Sequence, residues 1–149
     1  MINAGVSGDT SAGGAARLEW SLADRPDLML IELGGNDALR GLNPQQTRQN
    51  LATILSRLNK EQIRTILTGM QAPRNLGESY YSSFDRLYPE LAKEFDVAFY
   101  PFFLDGVVGR PELNLADGIH PNRTGVAVIV ERLLPLVEQE LQALEEIPR

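Results

Sequence analysis

The single histidine of this chain, His120, lies three residues after Asp117 in the stretch Asp-Gly-Ile-His-Pro. Histidine is the side chain whose ordinary pKa lets it take up and return a proton near neutral pH. An aspartate on a tight glycine-containing turn can hydrogen-bond to one ring nitrogen, fix the tautomer and stabilise the protonated ring. The pair therefore predicts general base catalysis by His120, oriented by Asp117. Taken alone, Asp-x-x-His more often marks only a turn before a helix.

Two glycine-containing segments contain candidate donors to an oxyanion. Asn36 follows two glycines directly after an apolar run, at the edge of a predicted sheet where α/β proteins bind ligands. A side-chain amide that donates to a developing negative charge is worth about a hundred- to a thousandfold in turnover. Gly8, in the run Ser-Gly-Asp-Thr, has a backbone N–H suited to an oxyanion or a phosphate. Each segment alone is equally consistent with a plain turn.

The apolar pattern predicts the elements that position these residues. Short apolar runs typical of strands covered on both faces occur at 28–33, 65–70 and 97–100. Helical spacing occurs at 12–23, from 44 to about 58, at 82–95 and at 124–144. Pro89 is expected to kink or divide its helix, and Pro135 is expected to bend the last helix midway. Strands alternating with helices indicate an α/β fold with a parallel sheet that binds ligands beyond the carboxyl ends of its strands.

Composition and charge exclude several function classes. A net charge of −6 argues against nucleic acid as a partner, because such binding relies on many Lys and Arg side chains. No apolar run approaches the roughly 20 residues of a transmembrane helix, so none is expected. With one histidine and no cysteine, the chain is not expected to bind a metal ion. The compartment and the oligomeric state stay undecided.

Three segments together resemble a known family. In chain order, Ser7–Thr10, Gly34–Asp37 and Asp117–Pro121 resemble blocks two, three and five of the SGNH (GDSL-type) hydrolases. The stretches Leu-Ala-Lys-Glu-Phe at 91–95 and Tyr-Pro-Phe-Phe at 100–103 resemble the bacterial thioesterase/lysophospholipase/arylesterase group. The resemblance covers essentially the whole chain, 1–149, as one domain. It implies a three-layer α/β/α sandwich of flavodoxin-like type.

The resemblance also implies roles for the candidate residues. Gly8 and Asn36 would form the oxyanion hole, and His120 and Asp117 would be the base and acid of a catalytic triad. The implied reaction is hydrolysis of small esters, thioesters or lysophospholipids through an acyl-serine intermediate, with no cofactor. Family members are often exported, and any export signal is expected ahead of Met1.

One family block is absent from the sequence. No Gly-Asp-Ser-Leu motif, which holds the family's nucleophilic serine, occurs in the 149 residues. We therefore expect an amino-terminal strand and helix of about 30 residues or more to be missing, and the chain alone to be inactive. No remaining serine is expected to replace it. The resemblance assigns the neighbourhood of Ser7 to the oxyanion hole, and the others lie on predicted helices or loops without a sharp elbow; they are Ser11, Ser21, Ser56, Ser79, Ser82 and Ser83.

Two other functions remain open at the level of sequence. The chain could be a non-catalytic binding module that keeps the pocket without the nucleophile. It could also be a flavodoxin-like domain that binds phosphorylated ligands, although it has no Gly-Lys-Ser/Thr phosphate loop. Turnover of an aryl ester separates the hydrolase from the binding module, and a rise in melting temperature with phosphate compounds would indicate the phosphate-binding domain.

Overall fold

The parallel sheet that the apolar runs predict is present, with three strands in the order β1-β2-β3. The computed structural model describes residues 1–146, which divide into one unit up to Pro101 and a second from Phe102 onwards. The sheet belongs to the first unit. Its strands begin within a residue of the predicted runs and span Leu28–Ile31 (β1), Arg64–Thr68 (β2) and Ala98–Tyr100 (β3).

The first unit has five α-helices among its described residues, and several of them differ from the prediction. The single helix expected at 12–23 is divided at Arg17, whose φ of −103° and ψ of 9° leave the helical region. The Gly-Gly-Asn-Asp segment, which alone is equally consistent with a plain turn, begins a short helix. The five helices are Ser11–Ala16 (α1), Leu18–Leu22 (α2), Gly35–Leu39 (α3), Pro44–Lys60 (α4) and Glu78–Phe95 (α5).

The core of the first unit follows the periodicity of α4 and α5. Asn43 caps α4 by accepting a hydrogen bond from the Gln45 N–H at 2.9 Å, and Pro44 is the first helical residue. The apolar faces of α4 and α5 are buried against each other and the sheet by Leu51, Ile54, Leu55, Leu58, Phe84, Leu87, Tyr88 and Leu91. Both faces of β2 are buried, since its consecutive residues Ile66 and Leu67 are each 0% exposed.

The second unit is built around one long helix, Arg123–Glu145 (α6), preceded by an irregular segment that ends in a 3-10 turn at Pro111–Leu113 and a further loop. Its core consists of Val107, Leu113 and Ile129.

Neither proline inside a long helix divides it. Helix α5 continues through Pro89 and begins four residues earlier than the predicted position, at Glu78, while α6 continues through Pro135. Proline removes one N–H and leaves the carbonyl four residues earlier without its helical partner. Both prolines lie on exposed faces, where water can satisfy that carbonyl.

A core truncation in α4 tests this packing. Leu55 is 0% exposed, so Leu55→Ala should lower the free energy of unfolding by about 2–5 kcal/mol through lost burial and the cavity it leaves. Gln49→Ala on the exposed face of the same helix is the matched control and should change stability by less than about 0.5 kcal/mol. Urea denaturation monitored by circular dichroism measures both, and equal midpoints for the two variants would contradict the assigned core.

Candidate active site

Asp117 and His120 form a hydrogen-bonded pair, as their spacing predicts. Asp117 Oδ2 lies 2.8 Å from His120 Nδ1. The other carboxylate oxygen, Oδ1, accepts from the backbone N–H groups of Ile119 at 2.9 Å and His120 at 3.0 Å. The same carboxylate therefore folds the turn and orients the ring, which leaves His120 Nε2 for proton transfer. The imidazole side chain is 66% exposed, so it is accessible to a reacting group.

A backbone bridge holds the turn that carries the pair. Asn114 and Pro121 form an isolated antiparallel bridge, and the Leu115 N–H donates to the His120 carbonyl at 2.7 Å. Gly118 adopts a φ of +69° between the two partners, a conformation that glycine reaches without strain. The ends of the turn are thus fixed to each other, and the position of the imidazole does not depend on a freely moving loop.

The start of α6 supports the other side of this turn. Asn122 caps the helix, because its Oδ1 accepts from the N–H groups of Thr124 at 2.9 Å and Gly125 at 3.0 Å. A Cβ atom on Gly125 would lie 2.1 Å from the Leu113 carbonyl oxygen. Only glycine allows the helix to approach the backbone before the turn this closely.

Hydrogen bonding sets the charge of Asp117. The backbone N–H of His120, then that of Ile119, then the His120 side chain lower the pKa of the Asp117 carboxyl from 3.8 to about 2. The carboxylate is therefore ionised at neutral pH. This is the charge state that stabilises an imidazolium.

Asn36 lies in the first turn of α3, and a special glycine conformation directs the chain into that helix. Gly34 has a φ of +103°, and a Cβ on it would lie 2.1 Å from the Tyr88 hydroxyl, which donates to the Leu33 carbonyl at 3.0 Å. The side-chain amide of Asn36 makes no hydrogen bond within residues 1–146. This donor is consequently available to a ligand.

Gly8 occupies a turn closed by a hydrogen bond from the Asp9 N–H to the Val6 carbonyl at 3.2 Å. Its φ of +77° is the one required at the third position of a type II turn. The Gly8 N–H has no partner in the part of the chain that the structure describes. Gly8 and Asn36 thus each have an unpaired donor in the first unit.

Asp37, next to Asn36, is buried, and the sequence predicts no role for it. Asp37 is 1% exposed and accepts hydrogen bonds from the N–H and hydroxyl of Ser11 and from the Thr47 hydroxyl at 3.0 Å. Asn50 completes the network by donating to the Ser11 hydroxyl at 2.9 Å. The carboxyl group joins α3 to the first residue of α1. Ser11 and Asp37 lie in short polar motifs 26 positions apart, and these motifs were the only signal of this contact in the sequence.

Six of the serines lie on helices, whereas Ser7 is an exposed residue of the turn between Val6 and Asp9. Ser11 is 0% exposed and its hydroxyl is engaged by Asp37 and Asn50. The hydroxyl of Ser83 donates to the Ser79 carbonyl one helical turn earlier. Within residues 1–146 no group of three or more histidine or acidic side chains could hold a metal ion. No helix in the same residues has the length and apolar character needed to cross a membrane.

Sequence comparison identifies the family. The model of the GDSL-like lipase/acylhydrolase family matches residues 1–128. Esterase TesA of Pseudomonas aeruginosa is 44% identical over 139 residues, which cover 93% of this chain and 69% of the relative. The Escherichia coli (strain K12) thioesterase 1/protease 1/lysophospholipase L1 is 43% identical over 145 residues, covering 94% and 70%. The chain belongs to the GDSL-like lipase/acylhydrolase family.

Solved structures agree with this assignment. The crystal structure of TesA has a TM-score of 0.88 at 44% identity and covers 93% of this chain and 78% of that one. The esterase AlinE4, described as an SGNH-hydrolase family esterase, has a TM-score of 0.76 at 47% identity, with coverage of 94% and 76%. The predicted α/β fold class and the predicted enzyme class, a carboxylic ester hydrolase of the SGNH type, are confirmed.

The hydrogen bonds to Asp117 give a testable pH dependence. Its pKa in the folded chain lies below the ordinary value of 3.8, so Asp117 stabilises the fold above that pH, and the contribution is lost as the pH falls through about 2. The ¹³C shift of the carboxyl group should titrate with a midpoint of about 2. In His120→Ala the midpoint should rise but stay below 3.8, because both backbone donors remain. A midpoint near 3.8 in the unmodified chain would contradict the assigned geometry.

Proposed function

We propose that this chain supplies the acid–base pair and the oxyanion donors of a serine-dependent hydrolase of carboxylic esters or thioesters. The observation that carries the proposal is the Asp117–His120 pair, in which the Asp117 carboxylate, whose pKa is lowered to about 2, lies 2.8 Å from His120 Nδ1. The unpaired N–H of Gly8 and the unpaired amide of Asn36 support it. Both are donors of the kind that stabilise a tetrahedral intermediate.

The reaction follows from these roles. His120 Nε2 accepts the proton of the serine hydroxyl as its oxygen attacks the acyl carbon. The carbonyl oxygen becomes an oxyanion that accepts hydrogen bonds from Gly8 and Asn36. His120 then gives the proton to the departing alcohol or thiol, which leaves an acyl-serine. Water, activated in the same way, releases the carboxylic acid and restores the serine, while Asp117 stays ionised throughout.

The substrate class is supported by the names of the relatives and by exposed apolar residues in the first unit. The two relatives are named an esterase and a thioesterase/lysophospholipase. Leu39, Leu42 and Leu76 are 50%, 40% and 38% exposed, and the Tyr80 hydroxyl donates to the Leu42 carbonyl at 2.7 Å. We propose that these side chains contact the acyl chain of a small ester, thioester or lysophospholipid.

The attacking hydroxyl is proposed to lie outside these 149 residues. The sequence contains no Gly-Asp-Ser motif. Ser11, at the start of α1 just after the Gly8 turn, has a buried hydroxyl that is hydrogen-bonded to Asp37. The proposal therefore includes inactivity of the chain when it is tested alone. The competing function is a binding module that keeps the site without hydrolysis.

Turnover measurements test this part of the proposal. The 149-residue chain should not hydrolyse a short-chain aryl ester and should not be labelled by a serine-directed phosphonate. Fusion of a family member's Gly-Asp-Ser-Leu block, with its strand and helix, ahead of Met1 should restore both. Turnover by the chain alone would overturn the assignment of an external nucleophile. A folded fusion protein that is labelled but does not turn over ester would favour the binding module.

Variants of the active fusion protein test the individual roles. Asp117→Asn should lower kcat by about ten-thousandfold, because the wrong tautomer of His120 is favoured. Asn36→Ala should lower kcat by about a hundred- to a thousandfold through loss of one oxyanion donor. Asp105→Asn is the matched control, since Asp105 is an exposed aspartate paired with Arg132 rather than with the histidine. Kinetics indistinguishable from this control in either site variant would exclude the corresponding role.

A further inference from the structure

Arg40 connects the two segments that contain the unpaired donors. It follows α3 directly, and its backbone N–H donates to the Asn36 carbonyl at 3.1 Å, one helical turn earlier. Its guanidinium Nη2 donates to the Gly8 carbonyl oxygen at 2.9 Å. Arg40 makes no ion pair within residues 1–146. The contact to Gly8 is thus its one polar side-chain interaction in that part of the chain.

Apart from the hydrogen bond from the Asp9 N–H to the Val6 carbonyl that closes it, the turn around Gly8 is otherwise restrained only at its flanks. Arg17 binds the Asp9 carboxylate at 2.6 Å and the Ala4 carbonyl at 2.6 Å. Gly8 itself is exposed, and a Cβ placed on it would meet no atom within 4 Å. An unpacked glycine has the greatest backbone freedom of any residue. The hydrogen bond from Arg40 is therefore the contact through which another element of the structure restrains Gly8.

Helix α3 is a firm support for this contact. Asp37, inside that helix, is buried and accepts three hydrogen bonds from Ser11 and Thr47. Asn36 and Arg40 flank Asp37 on the same short segment. Helix α3 thus presents the Asn36 amide directly. Arg40, which follows α3, reaches the Gly8 turn through its long side chain.

We propose that Arg40 is a positioning residue that holds the Gly8 N–H in place relative to the Asn36 side-chain amide, so that both donors can engage one oxyanion. This inference rests on the proposed function, because it assumes that these two groups bind the same oxygen. Preorganised donors avoid reorganisation during the reaction, and a donor on a free turn would lose that advantage. Arg40 touches neither the substrate nor the reacting atoms in this role.

Nuclear magnetic resonance of the ¹⁵N-labelled 149-residue chain tests the inference without turnover. Butyrate, a product-like carboxylate, is titrated at high salt, which screens the long-range effect of removing a charge. The signals followed are the Gly8 backbone amide and the Asn36 side-chain amide. The variants are Arg40→Gln, Arg40→Lys and the control Arg86→Gln, which removes an exposed arginine whose Nε bonds within its own helix.

The expected result is specific to Arg40. Arg40→Gln should shift the free Gly8 amide signal and weaken the butyrate response of both amides by about two- to tenfold, the effect of one hydrogen bond. Arg40→Lys should largely restore the affinity, and Arg86→Gln should match the unmodified chain. An unchanged Gly8 signal in Arg40→Gln, or equal butyrate affinity in all variants, would overturn the inference. Absence of any butyrate response in the unmodified chain would instead refute the oxyanion roles of Gly8 and Asn36.

Discussion

The buried carboxyl group of Asp37 is the constraint on which the first unit's part of the site depends. It accepts hydrogen bonds from Ser11 and Thr47 while only 1% exposed. Leaving a buried polar group without its hydrogen-bond partners costs about 1–3 kcal/mol, so α1, α3 and α4 cannot separate locally without that loss. The turn before α1 and the amide of Asn36 are consequently attached to one network. This explains why a polar residue is buried beside a proposed oxyanion donor.

Asp37 and Asp117 show that the same type of side chain serves different purposes in the two units. Asp37 is buried and joins three helices, whereas the carboxylate of Asp117 is 43% exposed and bonds only within its own turn. Exposure suits Asp117, because its partner His120 must exchange protons with a reacting group. Rigidity in this second unit comes from backbone bonds and from the Asn122 cap instead of from burial.

Close backbone approach accounts for two of the glycines in the first and second units. At Gly34 a side chain would collide with the Tyr88 hydroxyl, and at Gly125 it would collide with the Leu113 carbonyl. The first contact sets the entry into α3, and the second sets the approach of α6 to the histidine turn. Substitution at either position would displace a proposed site residue without touching it. The chemistry of the site therefore depends on packing as much as on the polar side chains.

Local patterns in the sequence determined the strands and the Asp117–His120 pair, because each involves residues that are adjacent or a few positions apart. They also carried the family resemblance, and with it the enzyme class. Tertiary structure alone decided the division of the first predicted helix at Arg17 and the helical conformation of Asn36. It also decided the role of Asp37. The contacts that hold these segments include hydrogen bonds between residues 26 to 32 positions apart, from Ser11 to Asp37 and from Arg40 to Gly8. Periodicity and propensity describe near neighbours, so they contain no information about which distant polar groups meet.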